Sequence, residues 1–277
     1  MQNQMKSGSE RKMGIIRTDR WLDESFGDIR KVEDYLLEAV DSKEQALIET
    51  LKKIGMYRPN KRTKDNYKQM KDRKIWEELN VYYKKYQKEW GGPDIPILIF
   101  PIAKQGLGLF READKRKSGL AFIDKLFLFV SADITEKELE ALFIHEYHHA
   151  ARLSILQDRV EHNLAGSIVM EGLAEYAVSE YCGTRYLAPW TNKHTADEVR
   201  SRLISKYVPN CELERNDSLH DRLLFGGGGM PKMAGYEAGY RIIKDYAEYK
   251  GLKTVDLFPL SAKEIIGQWK ELNVKED

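Results

Sequence analysis

Five consecutive residues, His145-Glu146-Tyr147-His148-His149, hold the densest potential for chemistry in this chain. On a helix, positions i and i+4 lie one turn apart on the same face, so His145 and His149 can converge on one metal ion. Glu146 projects beside them, where a carboxylate can take a proton from metal-polarised water and later deliver it to a leaving amine. Two imidazoles and a carboxylate suit zinc, one ion per chain, with a fourth position left for water whose pKa falls to about 7. The competing reading is a helix whose histidines only cap or line a core. It carries less weight, because the pattern sits inside a strong helical run directly after a strand run.

A third ligand has to come from elsewhere. Glu171 and Glu175 lie on the next apolar helix, in Met170-Glu171-Gly172-Leu173-Ala174-Glu175-Tyr176, again at i, i+4. Carboxylates on an apolar helix are costly to bury without a partner, and a dication with its imidazoles is such a partner. Glu171 is expected to bind the metal, and Glu175 to accept the outer N–H of a ligand histidine and fix its tautomer. The plainer alternative is a solvated stripe with Glu180 extending the row. If Glu171 is not the third ligand, Glu175 or Glu161 takes its place. His148, at i+3 from His145, is expected at the surface or supporting the site from outside the ligands. His162 and His194 carry no motif, and Cys182 reads as a small buried residue.

The elements that must position these groups can be read from periodicity. Apolar residues fall at helical spacing from Trp21 to about Tyr57, interrupted at Asp41-Ser42, which predicts two helices. A further helix runs from Ile75 to Trp90 and ends at Gly91-Gly92-Pro93. Ile95–Ile102, Leu120–Ile123 and Leu126–Val130 read as strands. Thr135 with Glu138 three residues on is a capping-box pattern, so a helix should run from there to about Leu156. The next helix spans about Ala165–Tyr181, with Gly183 to close it. Helices follow near 195–207, 235–250 and 262–272, and Gly226-Gly227-Gly228-Gly229 reads as a mobile loop by composition. The outline is α+β. Residues 1–13 form a polar flexible tail, 14–92 a helical N-terminal region and 93–277 the domain that carries the chemistry.

Composition bounds the rest. The 277 residues include 45 Lys and Arg against 44 Asp and Glu, so no global charge calls for nucleic acid or a membrane surface. Residues 56–75 are locally basic, eight against two, and read as a solvated face. Two cysteines without a CxxC pair do not make a secreted disulfide framework. No apolar stretch approaches a membrane span or a signal-peptide core, which makes the cytoplasm the expected compartment. Oligomeric state is not readable.

The order HEYHH, then EGLAEY (Glu171–Tyr176), then Gly235-Tyr236-x-x-Gly239-Tyr240 resembles the YjaZ-like family of bacterial predicted zinc-dependent proteases, within the gluzincin branch of metallopeptidases. The resemblance covers roughly residues 95–250. It implies a zincin-like catalytic domain, in which a small twisted sheet packs on the active-site helix. Its edge strand, for which Gly119–Ile123 is the candidate, pairs with an extended peptide or protein substrate. Hydrolysis also needs a donor to the oxyanion. Tyr236 and Tyr240 are the candidates, with His220 a third. The same glycines at i, i+4 equally fit close helix packing. A non-catalytic binding or adaptor protein on this scaffold is the rival to the peptidase reading.

Overall fold

Interior strands form where apolar runs are covered on both faces, and two such runs build the centre of this molecule. The computed structural model describes residues 13–103 and 116–273. The expected tail therefore lies outside the described residues except for Met13. In chain order the first elements are β1 (Gly14–Ile15), α1 (Thr18–Ser25), α2 (Ile29–Ala39), α3 (Gln45–Ile54), α4 (Lys61–Asp72) and α5 (Ile75–Trp90). The sheet continues with β2 (Pro96–Pro101), β3 (Lys117–Ala121) and β4 (Leu126–Val130). Then come α6 (Glu136–Leu156), α7 (Leu164–Cys182), α8 (Ala196–Arg202), α9 (Ser218–Phe225), α10 (Ala234–Lys250), α11 (Thr254–Leu257) and α12 (Ala262–Asn273).

The sheet order is β1-β2-β4-β3. β1, β2 and β4 are parallel, and β3 runs antiparallel to β4 with Gly119 opposite Leu128. Every residue of β2 and β4 is buried, as a central strand with both faces covered requires. β3 is the edge and stays half-exposed. α1 and α4 pack on β2, while α6 packs on β3 and β4. Side chains from residues 14–92 contribute to the same apolar cluster as the sheet. Thr18 hydrogen-bonds the Ile99 carbonyl and accepts from Trp76 Nε1 at 2.9 Å, and one apolar cluster runs from α1 through the sheet to α6.

Three helices, not two, fill the stretch read from Trp21 to Tyr57. α1 ends at Ser25, and the Asp28 carboxylate caps α2 by accepting from Lys31 N at 3.3 Å. The break at Asp41 does fall where expected, with φ at 49°. α6 starts on the capping box read from the sequence. Thr135 Oγ1 accepts from Glu138 N at 3.3 Å, and Glu138 Oε2 accepts from Thr135 N at 2.9 Å. No helix among the described residues is long and apolar enough to cross a membrane.

A second apolar cluster joins α7 to α8–α12. α7 and α10 approach through glycines. A methyl group at Gly239 would fall onto the Ile168 carbonyl, and one at Gly172 onto the Gly239 backbone. Gly235 lies in the same way against Leu224 of α9. Residues 226–229, expected as a loop, form a tight turn. All four glycines have positive φ, and Gly227 and Met230 exchange backbone hydrogen bonds of 3.1 Å. Gly239→Ala should destabilise the fold by about 2–3 kcal/mol through overpacking. Chemical denaturation would read this, and an unchanged midpoint would contradict the close approach.

Candidate metal centre

α6 and α7 meet where the two apolar clusters adjoin, and their facing turns bring polar groups together. His145 and His149 point the same way from α6, with Nε2 atoms 3.2 Å apart. Glu171 Oε2, from α7, lies 3.4 Å from His145 Nε2 and 3.6 Å from His149 Nε2. Bonds of about 2.0–2.1 Å in a tetrahedral arrangement put neighbouring donor atoms about 3.3 Å apart. The triangle of donors has that size, so these residues fit a zinc-sized ion. Among the described residues they form the cluster of three donors that could hold a metal.

The surrounding charges also ask for a cation. Burial would push the His145 pKa down, yet the hydrogen bonds and charges of Glu171 and Glu175 hold it well above its usual value. Burial would raise the Glu171 carboxyl, but His149 and His145 draw it well below the carboxylate range. The same carboxylates that raise His145 would favour a bound cation at this point.

Glu175, also on α7 and almost wholly buried, accepts from both sides. Its Oε1 lies 2.9 Å from His145 Nδ1, and its Oε2 accepts from Ala188 N at 2.9 Å. This arrangement leaves the His145 Nε2 lone pair facing the cluster. His149 Nδ1, by contrast, is buried with no hydrogen-bond partner among the described residues.

Glu146 follows His145 and makes no hydrogen bond among the described residues, so its carboxylate is uncommitted. Burial lifts its pKa above the usual range, against the lowering charges of His145 and His149. It fits under β3 only because residue 119 is glycine. A Cβ there would stand 2.5 Å from the Glu146 Cγ and Cδ. The contact between Gly119 of the edge strand and Glu146 of α6 joins separate elements and has no local sequence signature.

Tyr236 and Tyr240 separate along α10. The Tyr236 ring packs edge-on to Trp190 at 5.9 Å and against Phe225 at 6.1 Å, and its hydroxyl interacts with Glu171. Burial and then the charges of Glu171 and Glu146 raise its pKa well above that of a free phenol. Tyr240, one turn on, donates instead to Ser179 Oγ at 3.4 Å, two turns along α7 from Glu171. It does not line the cleft. His220 is also elsewhere. It is buried on α9 between Ser167 Oγ and Asp221 Oδ1, each at 3.0 Å. Ser167 Oγ also reaches the Asn163 carbonyl at 3.1 Å, and none of Ser167, His220 and Asp221 lines the cleft over the metal ligands.

His148 corrects the expectation of a surface or supporting residue. It is fully buried, stacked on Phe258 at 4.6 Å and edge-on to Trp90 at 5.9 Å, with neither ring nitrogen hydrogen-bonded among the described residues. Burial pushes its pKa well below the usual value, so it is a neutral core residue. The other acidic alternatives are committed as helix caps. Glu180 accepts from Thr254 N at 2.8 Å, and Glu161 accepts from Ala262 N at 2.6 Å and Lys263 N at 3.0 Å. Cys182 is a free thiol whose pKa burial pushes up to about 11, which leaves it unreactive.

A cleft of about 930 Å³ opens over the cluster, walled by β3, the facing sides of α6 and α7, and the segment 185–190. An α+β fold with a His, His, Glu donor set at the floor of a cleft defines a candidate metal-binding protein. The chain belongs to the family described as predicted Zn-dependent protease (DUF2268), whose model matches residues 75–267. It is 32% identical over 256 residues to the uncharacterised protein YjaZ of Bacillus subtilis (strain 168), covering 91% of this chain and 97% of that one. It is also 28% identical over 142 residues to the uncharacterised protein YjfC of the same organism, covering 47% of this chain and 46% of the relative. No solved structure matches it.

Proposed function

We propose that this protein is a zinc-dependent peptidase of gluzincin type on a zincin-like scaffold, hydrolysing a bond in an extended peptide or protein. The observation that carries the reading is the donor triangle of His145, His149 and Glu171 beside the uncommitted carboxylate of Glu146. Zinc held by those three residues would supply Lewis-acid polarisation and a water that ionises near neutral pH. Glu146, beside those ligands, would serve as the proton carrier, accepting a proton during attack on the carbonyl and returning it to the leaving amine. Glu175 keeps the His145 imidazole in the tautomer that ligation needs. The outer edge of β3, continuing to the exposed Ile123, offers unpaired backbone groups to a substrate strand. Tyr236, braced by Trp190 and Phe225, donates its O–H to the carbonyl oxygen as charge develops there.

The reading is tested by zinc content per chain and by hydrolysis of an unstructured protein, with chelator abolishing activity and zinc restoring it. Stoichiometric zinc without cleavage of any peptide in a mixed library would favour a binding protein on the same scaffold. Tyr236→Phe should lower kcat about 100-fold with KM little changed, since the lost hydroxyl acts on developing charge. An equal loss in Tyr240→Phe would argue for a packing effect instead. Gly119→Ala should cost about 10–100-fold in kcat by displacing Glu146, with zinc content unchanged. Wild-type turnover in that variant would remove the contact from the mechanism.

A further inference from the structure

The charges along the cleft are arranged in a pattern that the hydrolytic machinery does not use. The carboxylates Glu146, Glu171 and Glu175 are gathered at its middle, and the fourth lining carboxylate, Glu138, is held by Arg116 at 2.5 Å. Among the described residues, the charged side chains lining the two ends, Glu138 apart, are cationic. At one end stands Arg185, on the turn Thr184–Tyr186, which packs on α6 with Tyr186 near Lys137 of its first turns. Lys117 shares that end, its Nζ 3.5 Å from the Glu138 carbonyl. At the other end stand Arg215 and His162, brought side by side by the bridge between Asn163 and Glu214. Arg185 and Arg215 are both exposed, and neither is in an ion pair among the described residues. The acidic residues flanking Arg215, Glu214 and Asp217, do not line the cleft.

We infer that the cleft selects peptides carrying carboxylates on both sides of the scissile bond, read by Arg185 at one end and Arg215 with His162 at the other. This inference rests on the peptidase reading for the position of the bond, not for the charge preference itself. The spacing follows from α6. Glu138 precedes His145 by about 10 Å of helix, and Gln157, beside the other end, follows His149 by about 12 Å. An extended peptide advances about 3.3 Å per residue. The preferred carboxylates therefore lie about three residues from the cut in each direction, whichever way the peptide runs. Because the arginines are exposed, the preference is moderate and weakens with salt.

The test uses the full zinc-loaded chain and a peptide with Glu three residues either side of one cleavable bond, compared with its Gln counterpart, both N-acetylated and C-amidated. The expected result is about a tenfold higher kcat/KM for the Glu peptide, falling toward equality in the Arg185→Gln, Arg215→Gln double variant and in 0.5 M salt. A preference seen only with a free C-terminus close to the cut would assign the carboxylate to the chain end rather than to side chains. It would overturn the two-sided form. Equal cleavage of both peptides overturns the inference and leaves the peptidase reading intact. If neither peptide is cut, fluorescence anisotropy of the same labelled peptides on the Glu146→Gln chain decides. Tighter binding of the Glu peptide, lost in the arginine variants, supports the charge pattern while the peptidase reading fails. Equal binding overturns both.

Discussion

Glu146→Gln is expected to lower kcat by about three to four orders of magnitude while the chain still binds one zinc ion. The amide keeps the shape of the carboxylate, so it sits under Gly119 without disturbing β3, but it cannot take a proton. General acid–base catalysis contributes roughly 10²–10⁴-fold, and here one group serves both the attack and the departure. The loss should appear in kcat and kcat/KM alike, with peptide affinity retained. The checking measurement pairs steady-state hydrolysis with metal analysis of the same sample. Full activity with zinc bound would remove Glu146 from proton transfer. Loss of zinc together with activity would make it a structural part of the cluster.

Glu171→Ala is expected to weaken zinc binding by more than about 100-fold. Losing even a partner that only orients a ligand histidine costs 10–100-fold, and Glu171 Oε2 faces both imidazoles directly. Two imidazoles 3.2 Å apart then remain without the carboxylate that balances them. A consequence in stability follows. A ligand that binds only the folded chain stabilises it by about 2.7 kcal/mol at one hundred times its Kd. The wild-type Tm should therefore rise on adding zinc and fall back with chelator, while the variant's Tm stays flat. Undiminished zinc affinity in Glu171→Ala would place the third ligand elsewhere. Glu175 is then the nearest alternative, because Glu161 already caps α12.

The parts of the fold that were legible in the sequence are those whose causes are local. The α6 start rests on reciprocal hydrogen bonds between Thr135 and Glu138, three residues apart, and its identity shows in the residue types alone. β2 and β4 announced themselves as uninterrupted apolar runs, and Gly183 closes α7 as a C-terminal glycine does. Elements with weak local signals were missed. β1 is two residues long and exists only because β2 offers it an edge, and α9 is eight residues of mixed polarity beside a glycine turn. α4 was hidden by its charge. It carries the basic stretch, yet buries Thr63, Tyr67 and Met70 on one side.

By itself the sequence determined which side chains can ligate and transfer protons. His145, Glu146 and His149 share a helical turn, and Glu171 and Glu175 share another, because a 3.6-residue period is a property of the backbone. Tertiary structure alone decided which of these groups meet. The packing of α7 against α6 carries Glu171 to within 3.6 Å of both imidazoles, and the crossing of α10 at Gly172 and Gly239 admits Tyr236 but sends Tyr240 to Ser179. The same packing turned His148 inward onto Phe258, although it lies only one residue from a donor. Those outcomes depend on how closely whole helices approach, which is set by volumes and contacts between residues far apart in the chain.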